Sequence, residues 1–143
     1  MNTTPPLISI VDDDASVRDA LRSLMDSLGY HAEVFASGEA FLNSPYVSET
    51  NCLIADVRMP GMSGLELQER LNAAHSSIPI VFISAHDDRE ARARGLRAGA
   101  VDFCRNRSAR ILCSEQSRPV LIRVKVKGDV QCYKLLLVQI INL

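Results

Sequence analysis

The chain has no tryptophan and only four cysteines in 143 residues. Cys52, Cys104, Cys113 and Cys132 form no Cys-x-x-Cys pair, which argues against a zinc site and a disulfide framework. There is no run of 18 apolar residues, so no segment reads as a transmembrane helix. The stretch from Met1 to Pro6 has neither the basic nor the apolar region of a secretion signal. These absences predict a reducing, cytoplasmic setting and no membrane association. With 47% hydrophobic and 23% charged residues, the composition is globular rather than disordered. A chain of this length buries a sizeable core without staples.

Lysine is absent from residues 1–104, which carry eight arginines and fifteen acids for a balance of −7. All three lysines (Lys125, Lys127, Lys134) fall in residues 105–143, whose balance is +6. The net charge of −1 therefore averages two unlike compositions joined near residue 104.

In the acidic part, short apolar runs alternate with helical periodicity. Leu7 to Val11 reads as a buried strand, and Asp14 caps a helix with Val17, Leu21, Leu24, Met25 and Leu28 on one face. Gly29 stops that helix, His31 to Phe35 is a second strand, and Ser37 caps a short helix through Leu42. Cys52 to Ala55 is a third strand, followed by Asp56, the turn Met59-Pro60-Gly61 and a helix opened by Ser63. Ile78 to Ile83 is a fourth strand. Asp87 or Asp88 caps a helix from Arg89 to about Ala98, and Gly99 precedes a fifth strand beginning at Ala100 to Phe103. Such alternation predicts an α/β fold, a doubly wound parallel sheet covered by helices on both faces.

Sites in open doubly wound sheets form beyond the carboxyl ends of the strands. Here those ends carry Asp12, Asp13, Asp56 and Ser84. Three carboxylates on one rim repel one another unless a cation joins them, and Mg2+ is the natural oxygen-liganded choice. A rim carboxylate can also attack phosphorus, with a nearby hydroxyl donating to a phosphoryl oxygen.

Four ordered stretches carry a resemblance: Val11-Asp12-Asp13-Asp14, Ala55-Asp56-Val57-Arg58-Met59-Pro60-Gly61-Met62-Ser63-Gly64, Phe82-Ile83-Ser84-Ala85 and Ala98-Gly99-Ala100-Val101-Asp102-Phe103. Over about residues 7–103 the chain resembles the receiver domain of two-component response regulators. The resemblance implies a flavodoxin-like five-stranded sheet of order 2-1-3-4-5. It also implies Asp56 as phosphoacceptor, Ser84 as switch hydroxyl and Phe103 as switch aromatic. Asp12, Asp13, Asp56 and the Arg58 backbone carbonyl are the implied Mg2+ ligands. A sensor histidine kinase is the implied phosphodonor, a downstream protein the implied target, and enzymatic turnover is not implied.

The pattern breaks after the fifth strand, where the family has Lys-Pro and this chain has Asn106-Arg107. Asn supplies no charge to a phosphoryl group. Beyond that point Arg105 to Ser117 is a candidate for part of a final helix. Ile122 to Lys127 alternates with period two, Gly128-Asp129 reads as a hairpin turn, and Val130 to Leu143 as the returning strand. These features predict a receiver domain over residues 6–118 and an atypical basic and apolar tail over 119–143, with a candidate β-hairpin. The abrupt change suggests a reading frame disrupted near codon 104, an idea the coding DNA tests.

Other signals read as structural. Arg89, Arg92, Arg94 and Arg97 form no single helical stripe, and the tail shows no helix-turn-helix, so no DNA-binding domain is expected. His31, His75 and His86 lack metal-ligand spacing. A magnesium phosphohydrolase ranks last, because Arg58 stands where such enzymes commonly have a general acid. The main functional expectation is a phosphoacceptor. The alternative is a degenerate receiver acting as a phosphorylation-independent interaction module.

Overall fold

Runs of Ile, Val and Leu without internal glycine or proline favour strands buried on both faces. In the computed structural model, which describes residues 5–84, 88–107, 110–113, 123–126 and 129–132, they form a parallel sheet. Its strands are β1 (Leu7–Val11), β2 (His31–Phe35), β3 (Cys52–Asp56), β4 (Ile80–Ser84) and β5 (Asp102–Arg107). The intervening helices are α1 (Ala15–Ser27), α2 (Gly38–Leu42), α3 (Gly64–Ala73) and α4 (Arg89–Arg97), with a 3-10 turn at Val47–Glu49. The parallel order is β2-β1-β3-β4-β5, the expected five-stranded topology.

A sixth strand, β6 (Arg110–Cys113), extends the sheet antiparallel to β5, with Arg107 opposite Arg110 and Cys104 opposite Cys113. This corrects two sequence expectations. The fifth strand starts at Asp102 rather than Ala100, and the start of Arg105 to Ser117 is strand rather than helix. The physical reason is the open edge of β5, whose backbone groups need partners that Arg110–Cys113 supplies at short range.

A separate pair, β7 (Arg123–Val126) and β8 (Asp129–Cys132), is antiparallel with Val126 opposite Asp129. Asp129 is thus a strand residue rather than part of the turn. The rest of the expected return, residues 133–143, lies outside the described residues.

Alternation along the strands feeds two cores. Ile8, Ile10, Cys52, Ile54, Val81 and Ile83 cluster with Leu21 and Met25 of α1. Leu53, Ala55, Ile80, Phe82 and Phe103 cluster with Phe41 of α2, Leu65, Leu67 and Leu71 of α3, and Ala91 of α4. Each fully buried large side chain contributes about 1.5–3 kcal/mol of transfer free energy. Gln68, buried in α3, donates from Nε2 to the Gly95 carbonyl of α4 at 2.9 Å and ties those helices together. Cys52 is a buried free thiol whose pKa burial pushes up to about 12, so it is inert as a nucleophile.

Each α-helix begins with a side-chain cap. Asp14 accepts from the Ser16 amide at 2.9 Å, Ser37 from Ala40 at 3.1 Å, Ser63 from Glu66 at 3.2 Å and Asp88 from Ala91 at 3.0 Å. Of the two acids offered for the α4 cap, Asp88 takes the role. Ser63→Ala should cost about 1 kcal/mol, read as a lower melting temperature in thermal unfolding. An unchanged melting temperature would show that water replaces that cap without loss.

Candidate functional site

β1 and β3 are hydrogen-bonded neighbours, with Val11 opposite Ala55, so the residues that follow emerge side by side. Asp12, Asp13 and Asp56 each present a carboxylate oxygen, and these lie within 4.8 Å of one another. Asp12 is buried, Asp56 half-buried and Asp13 exposed. The Asp14 amide donates to Asp12 Oδ1 at 2.8 Å, and Arg18 of α1 donates from Nη1 to the Asp12 carbonyl at 2.8 Å. The Arg58 amide donates to Asp56 Oδ1 at 3.2 Å.

Burial pushes the Asp56 carboxyl up to about 7, helped by the neighbouring charges of Asp12 and Asp13 and opposed by the Arg58 amide. Burial also raises Asp12, against the hydrogen bond from Asp14. Burial, and secondarily mutual repulsion, thus disfavours three ionised carboxylates here without a cation, and every donor is an oxygen. That donor set fits a small hard divalent cation.

The turn after Asp56 is held close to the sheet. Val57 donates to the Ile83 carbonyl at 3.2 Å, and Gly64 donates to the Val57 carbonyl at 2.9 Å. A Cβ built on Gly64 would stand 2.2 Å from the Asp56 carbonyl oxygen, so only glycine fits there. Ser84 ends β4, one residue beyond the Ile83 that pairs with Asp56, and is 1% exposed. Phe103 lies deeper, paired with Phe82 in register and packed on its ring at a centroid distance of 6.0 Å. The carboxylates and the start of the Arg58 turn thus come together, Ser84 stands at the neighbouring strand end, and Phe103 belongs to the core.

The sequence of this chain gave no signal for two arginine contacts. One is the Arg18 bond to Asp12. The other is an ion pair from Arg58 Nη2 to Asp88 Oδ2 at 2.9 Å, which links the turn after β3 to the cap of α4. Both join residues distant in pattern, and nothing in spacing announces them.

The family model described as the response regulator receiver domain matches residues 8–109. The chain belongs to that family. The match runs past Phe103 and takes in Asn106-Arg107, further than the resemblance in the sequence extended. Over 103 residues the chain is 47% identical to the response regulator protein TmoT of Ectopseudomonas mendocina, covering 72% of this chain and 47% of that one. It is 40% identical over 101 residues to the transcriptional regulatory protein FixJ of Bradyrhizobium diazoefficiens, covering 71% and 49%. The receiver therefore spans about half the length of the curated relatives it matches. Among solved structures, the response regulator StyR superposes with a TM-score of 0.67 at 46% identity, covering 72% of this chain and 52% of that one. FixJ-N gives a TM-score of 0.65 at 33% identity, covering 73% and 83%. Among the described residues of the receiver, no helix is long and apolar enough to cross a membrane.

Proposed function

We propose that this receiver accepts a phosphoryl group on Asp56 in a cytoplasmic two-component phosphorelay and signals to a downstream protein. The observation that carries the reading is the convergence of Asp12, Asp13 and Asp56 within 4.8 Å at the strand ends of a receiver-family chain. A phosphohistidine of a sensor histidine kinase, or a small acyl phosphate, is the donor. An Asp56 oxygen attacks phosphorus and forms an acyl-phosphate bond. The bond from phosphorus to the donor breaks, and its electron pair leaves with the donor, onto carboxylate oxygen or onto a ring nitrogen that then holds a proton.

Bound by Asp12, Asp13, Asp56 and the Arg58 carbonyl, Mg2+ would supply positive charge for the phosphoryl oxygens. The Arg58 amide orients one oxygen of Asp56. Ser84, at the adjacent strand end, donates its hydroxyl to a phosphoryl oxygen. Phe103, packed on Phe82, responds as that strand end shifts. Residues 6–118 form the receiver in this reading, and 119–143 a tail outside the phosphorylation chemistry. The protein turns over no substrate beyond its own phosphorylation and dephosphorylation.

A second reading, a phosphorylation-independent interaction module, is favoured by Asn106 in β5, a neutral residue where the family pattern has lysine. It predicts partner binding that Asp56→Asn leaves unchanged.

Incubating the full chain with acetyl phosphate and Mg2+, followed by intact-mass analysis, tests the first reading. The expected result is one hydroxylamine-labile phosphoryl group, absent from Asp56→Asn. A wild-type chain that takes up none would overturn it.

A further inference from the structure

We propose that Arg58 contacts the phosphoryl group on Asp56 by exchanging its partner Asp88 for phosphoryl oxygens, which couples the site to the first turn of α4. The inference rests on Asp56 as the acceptor. It is carried by where the Arg58 side chain begins and where it ends.

The Arg58 amide nitrogen is 3.2 Å from Asp56 Oδ1. Its Cα therefore stands within about 5 Å of that oxygen, since N–Cα adds roughly 1.46 Å. From there the side chain reaches Asp88, pairing Nη2 with Oδ2 at 2.9 Å. Arg58 thus begins beside the acceptor and ends on the cap of α4. The long flexible stem allows the guanidinium to turn back over its own backbone.

The pair is weakly held. The Arg58 side chain is 59% exposed and that of Asp88 25%, and exposed ion pairs contribute little because solvent screens them. A phosphoryl group offers more negative charge than one carboxylate and several acceptor oxygens, which suit the planar fork of guanidinium. Transfer to Asp56 thus places a stronger partner beside the root of the same side chain.

The alternative cations are placed differently. Arg18 is engaged with the Asp12 carbonyl on its own side of the site. No lysine precedes Lys125 in the chain. Arg58 is the described cation that connects the acceptor turn to a second element.

Asp88 has two duties: Oδ2 holds Arg58, and Oδ1 accepts from the Ala91 amide to begin α4. Loss of Arg58 leaves Asp88 with the cap alone and frees its side chain to move. The first turn of α4 is thereby loosened when the phosphoryl group arrives.

The test uses the full chain with acetyl phosphate and Mg2+, comparing wild type, Arg58→Gln, Arg58→Lys and Asp88→Asn. Labelling at Asp56 is followed by mass, and protection of the Ala91 amide by hydrogen exchange. Arg58→Gln should slow labelling about tenfold, the loss of one charge-assisted bond to the phosphoryl oxygens. Arg58→Lys should recover much of the rate, and Asp88→Asn should label at least as fast as wild type. Phosphorylation should lower Ala91 protection in wild type and leave it unchanged in Arg58→Gln. Equal labelling rates in wild type and Arg58→Gln, with the same change at Ala91, would overturn the role of Arg58 while leaving Asp56 as acceptor. A wild-type chain that does not label overturns the acceptor reading itself, and the inference with it.

Discussion

Gly64→Ala should lower the melting temperature by about 10 °C, the largest effect expected from adding a single methyl group. The added Cβ would sit 2.2 Å from the Asp56 carbonyl oxygen, 3.0 Å from its carbon and 3.1 Å from Phe82 Cε1. The nearest atoms are backbone, so no side-chain rotation relieves the clash. Either α3 moves away from the sheet or the turn from Asp56 to Arg58 is displaced. The first movement breaks the Gly64 bond to the Val57 carbonyl, and the second moves the acceptor carboxylate. Overpacking of this kind costs about 3 kcal/mol. Circular dichroism melting measures the loss, and an unchanged melting temperature would mean that α3 does not start this close to β3.

Without divalent cations, stability should fall as pH rises from about 4 towards 8. Burial, with help from Asp12 and Asp13, lifts the Asp56 carboxyl to about 7, well above its value in an unfolded chain. The folded state then holds that proton more tightly than the unfolded state does. Its contribution is complete below the unfolded value near 3.8 and is lost as pH rises through about 7. Asp12 and Asp102 are raised by burial and act in the same direction. Asp14 and Asp88 are lowered, chiefly by hydrogen bonds from Ser16 and Ala91, so their contributions are lost only in acid, below about 4. The two windows are therefore separable.

Because Asp56 is partly exposed, solvent screening reduces its share to about 1 kcal/mol, or about 3 °C in melting temperature. Asp56→Asn should flatten the profile between pH 5 and 8 and raise the metal-free melting temperature at pH 8. Adding Mg2+ at a hundred times its dissociation constant should stabilise the wild type by about 2.7 kcal/mol, with stronger binding at pH 8 than at pH 5. A metal-free wild type whose melting temperature stays level across this range would contradict the charge balance drawn for the site.

Local patterns were enough to read the five parallel strands and the helices between them. Ile8 and Ile10 alternate with Ser9 and Val11 across the sheet, and Asp14, Ser37 and Ser63 cap helices through contacts a few residues away. The carboxylate cluster was equally accessible, because parallel topology brings strand ends to one rim whatever the side chains between them. Features that depend on packing were not. Glycine inside a helix weakens it, and the pattern around Gly95 gives no reason for one; in the fold a Cβ there would meet the Phe82 ring at 3.1 Å, so its role is close approach. Arg58 reads as a carbonyl ligand, and its guanidinium partner thirty residues away has no sequence signature. The sixth strand was missed because Arg110–Cys113 owes its conformation to the open edge of β5 rather than to its own four residues.

Phe82 turns the space between two helices into a measured gap. Its ring presents Cε1 to Gly64 at the start of α3 and Cε2 and Cδ2 to Gly95 in the middle of α4, and packs at a tilt of 47° on Phe103. With no Cβ on either glycine, both helices approach opposite edges of one aromatic ring, and its width limits how close they come at this level. Volume here is shared: a methyl group gained by either helix has to be surrendered by the ring, which makes residues 64, 82 and 95 one packing unit despite their separation along the chain.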